Sequence, residues 1–309
     1  MYMYLPIALT SVNYLVVMGL GLGVGLLSGL FGVGGGFLMT PLLMMIGIPP
    51  TIAAATDANQ IVAASASGTI SHWRLGNVDF KMGLYLLIGG FAGGAAGVQV
   101  IKILRASGGA DFLIKMTYVV MLGLVGSFMF VESLNAMHKT KKAPAAAAPT
   151  AAPKHKKGGF FAALPMQTYF EKSGVTHSAL VPLFLGTFVG VLAAIMGVGG
   201  GFLMVPVMIY MLRMPMHVVV GTSLFQILFT CIEVTYLQAY SNHTVDFMLA
   251  LLLLVGSVFG AQIGTVLGRK LHGDQLKILL SIIVLAVTVK IVLELVMEPS
   301  ILLSYAGGH

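Results

Sequence analysis

The stretch FGVGGGFLMTP, residues 31–41, breaks an apolar run with four glycines, and MGVGGGFLMVP, residues 196–206, repeats the break almost word for word. A glycine inside a helix costs about 1 kcal/mol relative to alanine, so three in succession end one. The surroundings make this costly. Hydrophobic residues are 58% of the 309 and charged residues 9%, with a mean hydropathy of +0.97, far from the composition of a soluble domain. Hydrocarbon offers no water to a freed N–H or C=O, so a break at membrane depth must be covered by protein or face a water-filled cavity.

Apolar stretches fall at about 12–31, 37–47, 51–72, 80–104 and 112–132, and again at about 178–196, 202–212, 216–240, 245–268 and 275–296. Most reach the roughly 20 residues that span a bilayer. The stretches 37–47 and 202–212 do not, and each directly follows a glycine run, which predicts half-helices or re-entrant hairpins there. The N-terminal MYMYLPIALTSVNYLVV has no Lys or Arg and no small-residue cleavage site, so it is expected to stay as a first segment. Cys231 is the sole cysteine, which excludes an intrachain disulfide and a Cys-based zinc site. Inside an apolar segment it reads as a small buried hydrophobe.

Charge is concentrated rather than spread. Between 133 and 177, Lys139, Lys141, Lys142, Lys154, Lys156, Lys157 and Lys172 face one acid, Glu171, so this stretch holds +6 of the net +7. Its low-complexity core, HKTKKAPAAAAPTAAPKHKKGG, predicts a flexible basic linker. The positive-inside rule places that linker in the cytoplasm, near anionic lipid headgroups. No aromatic or folded reader accompanies the lysines, so nucleic acid is not an expected partner.

The chain is written twice. Phe31–Pro41 aligns with Met196–Pro206 at an offset of 165, and Pro49, Thr56 and Gln60 align with Pro215, Thr222 and Gln226 at 166. Val78-Asp79-Phe80 matches Val245-Asp246-Phe247 at 167, as do Gly89, Gly93 and Gly97 with Gly256, Gly260 and Gly264. Five apolar segments per half, an odd number, would set the second half upside down relative to the first. The fold class expected is therefore an all-α integral membrane protein of two inverted-topology repeats with short, glycine-broken transmembrane helices. The repeats are 1–132 and 178–309, joined by the linker 133–177.

Glycine-interrupted short helices at matching positions of inverted repeats point to a transporter binding site. The first N–H groups of each half-helix have no intrahelical partner, and with the positive end of the dipole they make an anion site. Gly34, Gly35 and Gly36, with Gly199, Gly200 and Gly201, are candidates to line it. Thr56 and Gln60, like Thr222 and Gln226, are four residues apart on one helical face, where hydroxyl and amide can donate to an oxyanion. Interhelical hydrogen bonding is the alternative use of the same groups. Asn59 and Ser223 extend the set. Asp57 is the ionisable residue at depth in the first half and could carry a coupling proton or hold a cation; Glu233 is a further coupling candidate. Asp79 and Asp246 read as helix caps, and the glycine ladders as faces for close helix contact that leave a homodimer open.

The paired GVGGGFLM-x-P stretches, VGTSL at 220–224, the V-D-F triplets and the glycine-laddered helices together resemble the sulfite exporter TauE/SafE family, the sulfonate uptake permeases, over roughly 14–132 and 178–296. The resemblance implies movement of small sulfur-containing anions, such as sulfite, sulfonates or sulfoacetate, across the bacterial inner membrane. The repeats differ in one place that bears on substrate: residues 56–60 read Thr-Asp-Ala-Asn-Gln where 222–226 read Thr-Ser-Leu-Phe-Gln. The expected function is a secondary-active transporter of a small anion working by alternating access, with a coupling proton or Na+. A passive anion channel is the alternative. A membrane-embedded enzyme is more distant, since neither H-E-x-x-H nor G-x-S-x-G occurs, and no cofactor or metal is expected.

Overall fold

The computed structural model describes residues 2–31, 36–140, 167–268 and 273–296. Each half begins with a short antiparallel hairpin, β1 (Tyr2–Leu5) with β2 (Thr10–Asn13) and β3 (Gln167–Phe170) with β4 (Val175–Ser178). Five helices follow in each: α1 (Tyr14–Phe31), α2 (Gly36–Met45), α3 (Pro50–Arg74), α4 (Phe80–Ala106) and α5 (Ala110–Thr140), then α6 (Leu180–Met196), α7 (Gly201–Tyr210), α8 (Met216–Leu237), α9 (Phe247–Gly268) and α10 (Gly273–Val296). Within these, Phe80–Ala106, Ala110–Phe128, Val218–Asn242 and Phe247–Gly264 are long and apolar enough to cross a membrane. The α-helical expectation holds for these elements, and the two hairpins are additions to it. Ordered structure also occupies both ends of the stretch read as linker, because α5 runs to Thr140 and the second hairpin lies at 167–178; residues 141–166 lie outside the described residues.

The helices start where local chemistry tells them to. Pro49 and Pro215 precede α3 and α8, and their carbonyls accept the first N–H groups, from Ile52 and Ala53 and from Val218 and Val219. Asp79 caps α4 by accepting the Met82 N–H at 3.0 Å, and Asp246 caps α9 by accepting that of Leu249 at 3.2 Å. Pro41 and Pro206 sit inside α2 and α7. Each removes the helical donor to the residue four before it, Phe37 or Phe202, which limits how far such a piece can continue as regular helix.

Glycines set the tertiary pairing. A methyl carbon at Gly89, Gly93 or Gly97 of α4 would fall 2.1, 2.0 or 2.7 Å from Leu183 O, Thr187 O or Ala194 Cβ of α6. At Gly256, Gly260 and Gly264 of α9 it would fall 2.5, 2.1 and 2.2 Å from the carbonyls of Met18, Leu22 and Leu26 in α1. Backbones therefore touch, and the contact order shows that α4 runs parallel to α6 and α9 parallel to α1. Both ladders join helices of different halves within one chain. Helix α8 also runs parallel to α4, since Gly83 abuts Phe225, Gly90 abuts Gln226 and Thr230, and Gly94 abuts Glu233. The central pair α3 and α8 is antiparallel: Gly221 lies against Asn77 and His72, Gly68 against Leu224, and Ile61 clusters with Ile227 and Cys231.

Candidate functional site

The two half-helices begin back to back. Phe37, second residue of α2, stacks on Phe202, second residue of α7, with ring centroids 4.4 Å apart and planes 13° from parallel. The second break is described in full. Gly197, Gly199 and Gly200 all have positive φ, at 71°, 68° and 76°, the left-handed region that a side chain rarely adopts. Gly200 caps α7, its carbonyl accepting from Leu203 and Met204, and Gly201 opens the helix. In the first break Gly36 opens α2, and a methyl carbon added to it would fall 2.2 Å from Ile61 Cδ1 and 3.5 Å from Asp57 Oδ2; Gly34 and Gly35 lie outside the described residues. The hollow beside the second break, bordered by Leu192, Met196, Gly200 and Phe202, is apolar and too tight for a water molecule.

Around that centre α3 and α8 present the paired polar residues. Thr56, Asp57, Gln60, Thr222, Ser223 and Gln226 are all buried. The two threonines fasten the repeats together symmetrically. Thr222 Oγ1 accepts the Asp79 N–H at 3.0 Å, and Thr56 Oγ1 accepts the Asp246 N–H at 3.2 Å. Each aspartate then reaches the hairpin of the other half: Asp79 Oδ2 accepts from the Ser173 N–H at 3.1 Å and its hydroxyl at 2.5 Å, and Asp246 Oδ2 accepts the Ile7 N–H at 3.2 Å. Gln226 Nε2 donates to Thr230 Oγ1 at 3.0 Å, while Oε1 of Gln60 and of Gln226 have no hydrogen-bond partner among the described residues. Asn59 is half-buried, two positions from Asp57 and so on a different face of α3.

Asp57 is fully buried. Its Oδ2 accepts the Thr40 hydroxyl at 2.8 Å, and its Oδ1 has no partner among the described residues. It lies beside the opening turn of α2, whereas the aligned position in the other half is the neutral Ser223. The Met196 carbonyl, at the end of α6, accepts from the Tyr118 hydroxyl and lies 3.5 Å from Thr40 Oγ1. Glu233 is half-buried on α8 against Gly94 of α4, with Oε2 unpartnered among the described residues. Among the described residues, no three His, Cys, Asp or Glu side chains converge as metal ligands.

Thr40 and Tyr118 were not candidates on sequence. The signal available was the single difference between FLMTP and FLMVP, which places Thr40 opposite Val205. The hairpin contacts of Ser173 and Ile7 had no sequence signal, because they depend on which aspartate of the other half comes close.

The chain is 27% identical over 294 residues to the Probable membrane transporter protein YunE of Bacillus subtilis, covering 91% of this chain and 98% of that one. It is 28% identical over 274 residues to the Probable membrane transporter protein YjnA of the same organism, covering 88% and 97%. Sulfite exporter TauE/SafE family protein 1 of Arabidopsis thaliana is 32% identical over 110 residues, 35% of this chain and 24% of that protein. No solved structure matches the chain significantly. The family described as Sulfite exporter TauE/SafE matches residues 17–291, and the chain belongs to this family of membrane transporters.

Proposed function

We propose that this multi-pass protein is a secondary-active transporter of a small, sulfur-containing anion in the bacterial inner membrane, and that its halves are inverted-topology repeats that alternate access to a central site. The observation that carries the proposal is the meeting of the α2 and α7 N-termini at the centre, between antiparallel α3 and α8. Helix directions support the inversion. Asp246 at the start of α9 meets Thr56 near the start of α3, so these two begin at one level and share the direction of α1. Helices α4, α6 and α8 share the other direction. Corresponding helices, α1 and α6, α3 and α8, α4 and α9, thus run oppositely, as a two-fold axis across the helices requires. Two equivalent arrangements, open to either face, then have similar energies.

The anion is drawn by the backbone donors and positive dipoles of the half-helix starts, with Gly36, Gly199, Gly200 and Gly201 allowing close approach. Gln60, Gln226 and Ser223 supply neutral polar contacts, which avoid the cost of a buried full charge. Asp57 competes with the anion at the α2 end, so a proton or Na+ that neutralises it favours anion entry; Glu233 is a second such carboxylate. The sulfur-containing class follows from the names of its relatives. Sulfite and alkylsulfonate flux into proteoliposomes containing the purified chain tests the reading. Accumulation against the anion gradient, driven by a pH or Na+ gradient, is expected; purely downhill flux would mean a channel, and full, pH-independent transport by Asp57→Asn would remove the proton role.

A further inference from the structure

The repeats are tied together unequally at one hydroxyl. Thr40 Oγ1 lies 2.8 Å from Asp57 Oδ2 and 3.5 Å from the Met196 carbonyl, and it has one proton for the two acceptors. Thr40 belongs to α2 and Asp57 to α3, both of the first half. Met196 ends α6 of the second half, immediately before the Gly197–Gly200 break. The corresponding positions around the first break are Val205 and Ser223, so no equivalent carboxylate and hydroxyl reach back the other way.

We propose that Thr40 is a proton-controlled link between Asp57 and the second glycine break. An ionised Asp57 can only accept, so Thr40 must donate to Oδ2 and the Met196 carbonyl keeps Tyr118 alone. When Asp57 takes a proton from the aqueous phase, its own O–H donates to Thr40 Oγ1. The Thr40 proton then swings to the Met196 carbonyl, and the chain Asp57, Thr40, Met196 fastens α2 and α3 to the last turn of α6. Loss of that proton to water reverses each step and frees the break to move. The inference rests on the transport reading and deepens it, by naming the proton as the coupling partner and the second break as the part it controls.

The surroundings suit a one-proton link. Among the described residues, the titratable groups nearby are Tyr118 of α5, whose hydroxyl donates to the Met196 carbonyl, and Cys231 of α8, packed with Ile61 and Ile227; both are fully buried. Helices α2 and α6 contain no titratable side chain. From the α9 side Asp246 meets Thr56, one residue away, through its backbone N–H, and Asp111 at the start of α5 accepts the Thr51 N–H at 3.2 Å. Among the described residues no Lys, Arg or His is paired with Asp57.

Hydrogen–deuterium exchange of the full chain in lipid nanodiscs tests this independently of flux. After correction for intrinsic exchange chemistry, amides at the second break and the opening turn of α7 should be about fivefold more protected at acidic than at alkaline pH, the effect of one added hydrogen bond. Thr40→Val should abolish the pH dependence and Thr40→Ser should retain it. Asp57→Asn, whose amide can always donate to Thr40, should hold the break protected at every pH. Undiminished pH dependence in Thr40→Val, or a pH-indifferent break in the unmodified protein, overturns the link. Absent anion flux together with an intact exchange switch would instead overturn the transport reading and leave the link standing.

Discussion

An alanine at Gly93 would place its methyl carbon 2.0 Å from the Thr187 carbonyl oxygen and 2.9 Å from the Val191 nitrogen. Ordinary van der Waals contact begins near 3.4 Å, so the methyl stands about 1.4 Å too close to backbone that has no rotamer to change. Helices α4 and α6 must separate along the ladder to admit it, loosening the close contacts at Gly89 and Gly97 as well. Overpacking of this kind costs about 3 kcal/mol, and the better helix propensity of alanine returns about 1 kcal/mol. The net loss of roughly 2 kcal/mol predicts a melting temperature lower by roughly 4–8 °C. Gly19→Ala is the control, because none of the described residues lies within 4 Å of its added carbon, and it should melt at or slightly above the unmodified protein. Thermal unfolding in one detergent, followed by far-UV circular dichroism, measures both variants. If Gly93→Ala proved as stable as Gly19→Ala, the α4–α6 register and the parallel pairing derived from it would be wrong.

Other expectations follow from single contacts. Phe202→Ala removes one ring of the 4.4 Å stack at the centre and should lower stability by about 3–5 kcal/mol, read by the same unfolding assay. Asp79→Ala removes the α4 cap and both Ser173 contacts, so protease cleavage within 167–178 should become faster, while Ser173→Ala should do so more weakly. Cys231 is fully buried and should resist a maleimide in the folded protein but label fully in denaturant, giving a one-site reporter of unfolding by mass spectrometry.

The helices were legible because each is an apolar run bounded by residues with a mechanical reason to stop or start it. Pro49, Pro215, Asp79 and Asp246 mark four starts, and the glycine runs mark the two half-helices. The hairpins were not legible, since strands of four residues offer too few alternating positions to separate from an apolar helix start. Their hold on the fold comes from aspartates in the opposite half. The glycine ladders announced close packing but not the partner, because α1 with α9 and α4 with α6 are pairings across the duplication. At the site, the symmetric members Thr56, Gln60, Thr222 and Gln226 were visible from the repeat itself. Thr56 and Thr222 have a structural task that spacing could not reveal, accepting the backbone N–H of Asp246 and Asp79. Thr40 escaped notice because threonine and valine have similar shapes, and only its neighbours make the hydroxyl matter.

That small difference bears on how a duplicated transporter can have a preferred form. Identical inverted halves would populate the two arrangements equally, since each is the mirror of the other in energy. Here Thr40 stands against Val205 and Asp57 against Ser223, so in the proposed link the first half's polar groups act on the second half's break. One added hydrogen bond is worth about 1 kcal/mol, which shifts two otherwise equal populations about fivefold. Under the proposed link the bias would switch with the proton on Asp57, and inverted halves of similar energy would supply an equilibrium that so small a term can tip. Removing the hydroxyl by Thr40→Val should leave the opening turns of α2 and α7 exchanging their amides at equal rates at acidic pH, where the unmodified protein protects α7 more. Persistent extra protection of α7 in that variant would place the bias elsewhere in the chain, with Glu233 and its Gly94 contact as the next asymmetric feature.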